Sequence, residues 1–245
     1  MHSFGNDFII IDLRTENKDY ILTEDNIIYL CDRNYGVGCD QLLVISKSDK
    51  ADDDKSVNVN VKIFNADGSE ALQCGNGLRC ISGFVAKAIE KVIIKCHIKE
   101  NTFITKADKQ KQYTKVNMGI PKIENDTITI GNQHKIIIVE NFDTLIREPH
   151  HTFNYNYVQI KDKDNIFVRT VEKGVGETLS CGSGICASVA YCIQNNLTNK
   201  AVKVTTRGSD IVDSVNDVAW DNVNNKPILQ GGFYNFIFEG VIDLV

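Results

Sequence analysis

The sequence predicts an α+β protein made of two similar halves related by a pseudo-twofold axis. Most apolar segments are short and β-branched, often alternating with a period of two, as strands do. Helical periodicity is confined to the stretches after Cys74 and after Cys181. Those two stretches lie in blocks that copy one another at an offset of 107 positions, from Cys74 to Cys181.

In chain order, Ile9-Ile10-Ile11 is the first strand, entered through Gly5-Asn6, and Val59, Val61 and Ile63 mark a second. Asn65-Ala66-Asp67-Gly68 is a turn, since Asn, Asp and Gly favour local hydrogen bonding and left-handed backbone. Leu78, Ile81, Phe84, Val85, Ala88 and Ile89 then follow in steps of three and four, one stripe of a helix. In the second half Thr127–Ile130 and Ile166–Val171 are strands, Glu172-Lys173-Gly174 is a turn, and Ile185, Val189, Cys192 and Ile193 stripe a helix before strand Val202–Val204. Phe236 to Val241 is expected as a last strand.

The blocks share Glu70/Glu177, Leu72/Leu179, Cys74/Cys181, Gly75/Gly182 and Gly77/Gly184, and Gly5-Asn6 is echoed by Gly131-Asn132. Chance does not readily place the same strand, turn and helix around both Cys-Gly-x-Gly tetrapeptides. The expected domains are 1–117 and 118–235, divided near Met118-Gly119-Ile120-Pro121. At roughly 150 residues per domain, 245 residues accommodate two small ones.

Composition narrows the function. With 27 Lys+Arg against 32 Asp+Glu the net charge is −5, and no basic block stands out, so nucleic acid is not the expected partner. Aliphatic runs such as Ile136–Val139 are far short of the roughly 20 residues that span a bilayer. The first residues lack the basic and apolar regions of a secretory signal. A cytoplasmic protein acting on a small molecule is expected, with no membrane partner; the oligomeric state stays open, a homodimer among the expectations.

Eight cysteines occur without any Cys-x-x-Cys pair, and the five histidines stand at no zinc-finger spacing from them, so no metal is expected. A reducing cytosol opposes disulfides. Cys31, Cys39, Cys80, Cys96, Cys186 and Cys192 are expected to be small buried apolar residues. Cys74 and Cys181 differ, because each directly precedes glycines that open a helix. There the macrodipole and unpaired N–H groups favour a thiolate, and the N–H groups of Gly75, Asn76, Gly182 and Ser183 can cradle a carboxylate. Two thiols on opposite faces of a carbon acid can remove a proton from one face and return one to the other. Donors preorganised around the carboxylate stabilise the carbanionic transition state, and no cofactor is obligatory.

Six segments carry a family resemblance: Gly5-Asn6-Asp7-Phe8, Gly36-Val37-Gly38-Cys39-Asp40-Gln41, Asn65-Ala66-Asp67-Gly68-Ser69-Glu70, Cys74-Gly75-Asn76-Gly77-Leu78-Arg79-Cys80, Gly131-Asn132-Gln133-His134 and Glu172 to Gly184. In order and content the chain resembles the diaminopimelate epimerases. The resemblance implies a cofactor-independent enzyme interconverting LL- and meso-diaminopimelate in lysine and peptidoglycan biosynthesis. It implies two α/β domains, each a mostly antiparallel curved sheet or barrel around a central helix, with the active site in the cleft between them. It also implies that a strand at about 236–245 packs back onto the first domain.

Carried over by position, Cys74 and Cys181 are the acid/base pair, and His134 and Glu172 are polar residues beside the thiols. Asn6, Gln41, Asn65, Asn132 and Asn154 match substrate-binding positions, while Gly75-Asn76 and Gly182-Ser183 bind the reacting carboxylate. Glu172 is also a substrate-binding position, and Lys173 stands at the substrate's distal end where the family usually has arginine, so a mobile point charge replaces a planar fork. Gln133 replaces a proline, and Tyr155-Asn156-Tyr157 departs from the family around Asn154.

Other readings of the same residues are blander. Asn6 or Asn132 alone would be turn residues, His134 a satisfied core polar group, and His150-His151 part of a surface loop. Glu70 and Glu177 are expected to tie each turn to the following helix N-terminus. Gly182-Ser183-Gly184-Ile185-Cys186-Ala187 meets the loosest dinucleotide fingerprint, but no strand immediately precedes it and no acid follows at the required distance. Asp49–Lys55 and Lys106–Lys115 read as solvated loops or hairpin edges. A related racemase of another amino acid, or a non-catalytic amino-acid-binding protein, are the alternative functions.

Overall fold

The computed structural model describes residues 1–15, 22–89, 92–143 and 152–242. The chain divides into two compact units, Met1–Thr114 with Tyr234–Val245, and Lys115–Phe233. The expected loop at His150-His151 lies outside the described residues.

The first part of the chain contains β1 (His2–Ser3), β2 (Asn6–Leu13), α1 (Glu24–Cys31), β3 (Gln41–Lys47), β4 (Ser56–Asn65), β5 (Glu70–Ala71), α2 (Gly75–Ala88), β6 (Ile93–Ile98), β7 (Asn101–Asp108) and β8 (Tyr113–Asn117). β2 runs parallel to β3, β3 antiparallel to β4, β4 antiparallel to β5, β4 parallel to β6, and β6 antiparallel to β7. The run Leu42-Leu43-Val44-Ile45 on β3 is buried without alternation, which requires cover on both faces. Leu42 and Val44 join the cluster of Ile27, Leu30 and Cys31 from α1. On the other face Leu43 reaches α2, where its Cδ2 would lie 3.2 Å from a Cβ placed on Gly77.

The single apolar stripe expected on α2 understates its burial. Gly75 through Gly83, Val85 and Ala86 are all buried, and the helix packs against β1, β2, β3, β6 and β7. A helix buried on nearly every side needs small residues where neighbours approach. At Gly83 the Tyr234 ring fills the space a side chain would take, with Cζ 2.2 Å from a hypothetical Cβ.

The second part contains β9 (Lys122–Glu124), β10 (Thr127–Ile130), β11 (Asn132–Ile138), β12 (Asn154–Ile160), β13 (Asn165–Glu172), β14 (Gly176–Thr178), α3 (Gly182–Gln194), β15 (Ala201–Thr205), α4 (Arg207–Val212), β16 (Asn216–Ala219) and β17 (Leu229–Phe233). Its pairing repeats that of the first unit: β11 parallel to β12, β12 antiparallel to β13, β13 antiparallel to β14, β13 parallel to β15, and β15 antiparallel to β16. α3 is buried from Gly182 to Ala190 and packs on β10, β11, β12, β13 and β16. Each unit is therefore a mixed, mostly antiparallel sheet with one enclosed helix.

The duplication extends to side-chain register. Phe64 pairs with Glu70 and Val171 with Glu177, the same offset that relates the two cysteines. Gly5 and Gly131 both have positive φ, 82° and 70°, a conformation that glycine adopts at little cost; each starts the following strand at an asparagine.

Three expectations are corrected. Phe236–Ile242 forms no strand; an antiparallel bridge between His2 and Asn235 joins this part of the chain to β1. Glu70 pairs with Lys99 at 3.0 Å instead of serving the α2 N-terminus. Glu177 is held by Arg169 at 2.8 Å and Arg207 at 3.4 Å, its side chain only 5% exposed. Lys106–Lys115 runs from the end of β7 through an exposed turn at 109–112 into β8, as its polar composition implies.

Candidate active site

Cys74 is the N-cap of α2, in extended backbone, and its carbonyl accepts the first helical bond from Leu78 N–H at 2.8 Å. Its Sγ accepts the Gly77 N–H at 3.3 Å, so one otherwise unpaired donor of the first turn points at the sulfur. Such a donor favours thiolate over thiol. The thiol also lies 3.9 Å from Asn6 Oδ1, which accepts in addition from Asn76 Nδ2 at 3.3 Å.

Asn6 is held from its other end. Its Nδ2 donates to Asp40 at 2.8 Å, and Arg33 donates to both Asp40 and Asp7, each at 2.8 Å. Burial raises the Asp7 carboxyl, but the Arg33 guanidinium and the hydrogen bonds with Asp40 together outweigh it and hold the group below the ordinary carboxylate range. Behind Asn76 the fully buried Arg79 donates to Asn76 Oδ1, and to Ser3 Oγ at 3.0 Å, with its guanidinium over the Phe4 ring. Beside these, Gln41 Nε2 donates to Asn65 Oδ1 at 2.8 Å and Asn65 Nδ2 to Ser69 Oγ at 3.0 Å.

Cys181 takes the same N-cap position on α3, its carbonyl accepting from Ile185 N–H at 2.9 Å. Its Sγ lies 3.5 Å from Ser183 Oγ. The Ser183 hydroxyl is 3.0 Å from His134 Nε2. His134 is fully buried, and desolvation pushes its pKa down to about 4, so the ring is neutral near pH 7. At the end of β13, Glu172 Oε1 accepts from Thr178 at 2.7 Å, and the Lys173 N–H is accepted by Asn154 Oδ1 at 2.8 Å. Asn132 and the Lys173 side chain are exposed.

The remaining six cysteines are buried thiols. Burial pushes Cys80, Cys96 and Cys192 up to about 12, which makes them poor nucleophiles and poor bases. Among the described residues no cluster of His, Cys, Asp or Glu is arranged to hold a metal ion.

The family model for diaminopimelate epimerase matches residues 1–124 and 127–226. The chain belongs to the diaminopimelate epimerase family. The diaminopimelate epimerase of Blochmanniella floridana is 36% identical over 287 residues, an alignment covering 100% of this chain and 98% of that one. That of Aromatoleum aromaticum is 33% identical over 283 residues, covering 100% and 97%. Among solved structures, a PhzF-family phenazine biosynthesis protein of Bacillus anthracis superposes with TM-score 0.69 at 16% identity, covering 95% of this chain and 92% of that one. A probable proline racemase of Agrobacterium radiobacter gives 0.60 at 12%, covering 94% and 83%. These two likenesses carry the fold, a two-domain α/β architecture.

Within this epimerase family fold, the first unit brings together Cys74, Asn6, Gly75 and Asn76, with Gln41 and Asn65 joined to each other. The second brings together Cys181, Gly182, Ser183 and His134, with Asn154 tied to Lys173. The duplicated pairing explains the placement: Asn6 and Asn132 open β2 and β11, Gln41 and Asn154 open β3 and β12, and Asn65 and Glu172 close β4 and β13. Sequence reasoning missed Asp40, Arg33, Arg79, Asn156 and Thr170 as partners of these groups. Asp40 and Arg79 sit inside quoted motifs, which was a signal. Asn156 lies where the sequence departs from the family around Asn154.

Proposed function

We propose that the protein interconverts LL- and meso-diaminopimelate without a cofactor, one thiol abstracting the α-proton while the other delivers a proton to the opposite face. The observation that carries the reading is that Cys74 and Cys181 occupy the same N-cap position at the start of duplicated, enclosed helices. A thiolate at a helix N-terminus is matched to proton transfer near neutral pH. The reverse reaction exchanges the roles of the two thiols.

The remaining assignments follow from chemistry. Backbone N–H groups of Gly75-Asn76 and Gly182-Ser183 bind the α-carboxylate, where charge develops as the proton leaves. Asn6, Gln41, Asn65, Asn132 and Asn154 bind the polar groups of the substrate. His134 and Glu172 flank the thiols, Glu172 also contacting the substrate, and Lys173 meets the distal end. Lys173 offers a flexible point charge there, so recognition of the distal carboxylate rests more on neighbouring donors than a guanidinium would require. The product feeds lysine and peptidoglycan synthesis in the cytoplasm, with no nucleic-acid partner, and a homodimer is the assembly we assign. Among the described residues no helix is long and apolar enough to cross a membrane.

The test is incubation of reduced protein with LL-diaminopimelate in deuterated water, without added cofactor, following α-deuterium and the meso isomer. Label incorporation together with meso formation is the expected result. Label exchange on another amino acid, with none on diaminopimelate, would keep the thiol chemistry and overturn the substrate.

A further inference from the structure

A line of buried polar side chains in the second unit ends at Cys181. Asn156 and Thr170 are directly opposed across β12 and β13, and both point toward α3, where core positions are ordinarily apolar. Buried polar groups are costly unless each finds its partner. Here each does: Thr170 Oγ1 donates to Asn156 Oδ1 at 2.8 Å, and Asn156 Nδ2 lies 3.0 Å from His134 Nδ1. On the far side of the ring, Nε2 meets Ser183 Oγ at 3.0 Å, and that hydroxyl meets Cys181 Sγ at 3.5 Å.

The direction of the line follows from donor and acceptor inventories. With Oδ1 occupied by Thr170, the Asn156 amide presents its NH2 to His134, and an NH2 group only donates. Nδ1 is then the unprotonated nitrogen, and the proton of the neutral ring sits on Nε2. Nε2–H donates to Ser183 Oγ, which leaves the serine hydroxyl hydrogen for the sulfur. The packing is specific to this amide. A Cβ on Gly184 would lie 2.3 Å from Asn156 Oδ1, so glycine at that helix position provides the room.

We propose that Asn156, held by Thr170, is a positioning residue that fixes His134 in its Nε2–H tautomer, so that Ser183 donates a hydrogen bond to the Cys181 thiolate. The proposal rests on the reading of Cys181 as one of the acid/base thiols. The opposite polarity, with the proton on Nδ1, would turn the Ser183 hydroxyl toward Nε2 and leave only an oxygen lone pair facing the sulfur, which disfavours the thiolate. The device belongs to one thiol of the pair. Register places Phe8 opposite Gln41 as it places His134 opposite Asn154, so an apolar ring stands at the equivalent position in the first unit.

The experiment is NMR of reduced protein labelled with 15N-histidine, the His134 signals assigned by their loss in His134→Gln, together with steady-state kinetics. Wild type is expected to show His134 protonated at Nε2 alone. Asn156→Asp keeps the shape but offers an acceptor to Nδ1, and should place a proton there. It should also lower kcat at least about tenfold with KM within about twofold, acid/base assistance being worth ~10²–10⁴. Thr170→Val, which removes only the hydroxyl that orients Asn156, should move both readouts in the same direction by less, and it keeps the test available if the aspartate variant does not fold. A wild-type His134 protonated at Nδ1, or substitutions that leave tautomer and kcat unchanged, would overturn the proposal. A wild type that shows the Nε2–H tautomer yet turns over no diaminopimelate would support the positioning and overturn the substrate assignment instead.

Discussion

Cys74 and Cys181 differ from Cys80, Cys96 and Cys192 in what surrounds the sulfur. A backbone N–H reaches Cys74, and a hydroxyl lies beside Cys181, whereas Cys80, Cys96 and Cys192 are desolvated and pushed up to about 12. Cys74→Ala and Cys181→Ala should each abolish epimerisation while leaving far-UV circular dichroism and cooperative unfolding in place; appreciable turnover in either variant would remove that thiol from the mechanism. His134 has a second consequence, on stability. Its folded-state pKa, about 4, lies below the ordinary 6.5, so the unfolded chain binds the proton first as pH falls. The stabilising contribution of keeping this ring neutral is therefore full above about pH 6.5 and is lost progressively down to about pH 4, a cost on the order of 3 kcal/mol. Urea denaturation across that range should show a shallower pH dependence in His134→Gln than in wild type.

The two blocks around the cysteines are copies whose elements have acquired different loads. Glu70 and Glu177 hold equivalent places on β5 and β14. Yet Glu70 makes a solvent-exposed pair with Lys99, while Glu177 is nearly buried between Arg169 and Arg207. Exposed pairs contribute about 0–1 kcal/mol, and removing one partner of a buried network costs roughly 3–5 kcal/mol. Glu177→Gln should accordingly lower the urea midpoint strongly, and Glu70→Gln hardly at all; equal effects would show that burial is not what distinguishes them. The helices themselves were legible from apolar spacing, their enclosure less so. The glycines, serines and cysteines of α2 and α3 look neutral in sequence, and become buried because strands close over them. The last strand expected at Phe236–Val241 does not form for a related reason: an apolar stretch such as Phe236-Ile237-Phe238 is not a strand until a neighbour offers hydrogen bonds, and here the chain makes a bridge at Asn235 and then no ladder.

At the scale of the whole molecule, the proposed mechanism requires that two thiols serving one α-carbon be able to approach one another. Mild oxidation with hydrogen peroxide should therefore join Cys74 to Cys181 as a disulfide, each thiol losing a proton and the peroxide being reduced to water, with activity restored by a dithiol reductant. Peptide mass spectrometry after oxidation reads the linkage, and substrate should protect against it; loss of activity without that linkage would count against a shared carbon. The sequence by itself determined the family, the duplication and the two cysteines, because those features are local: a tetrapeptide that opens a helix, a turn before it, and a strand before that. Tertiary structure alone decided which polar groups stand behind the thiols. Asp40 reaches Asn6, and Thr170, Asn156 and His134 line up toward Ser183, through parallel and antiparallel registers between strands that are far apart in the chain. Strand periodicity tells which residues share a face, but not which strand lies beside which. A hydrogen-bonded line that crosses three strands and a helix is therefore fixed by the pairing of the folded sheet, where the exclusion of water makes each partner obligatory.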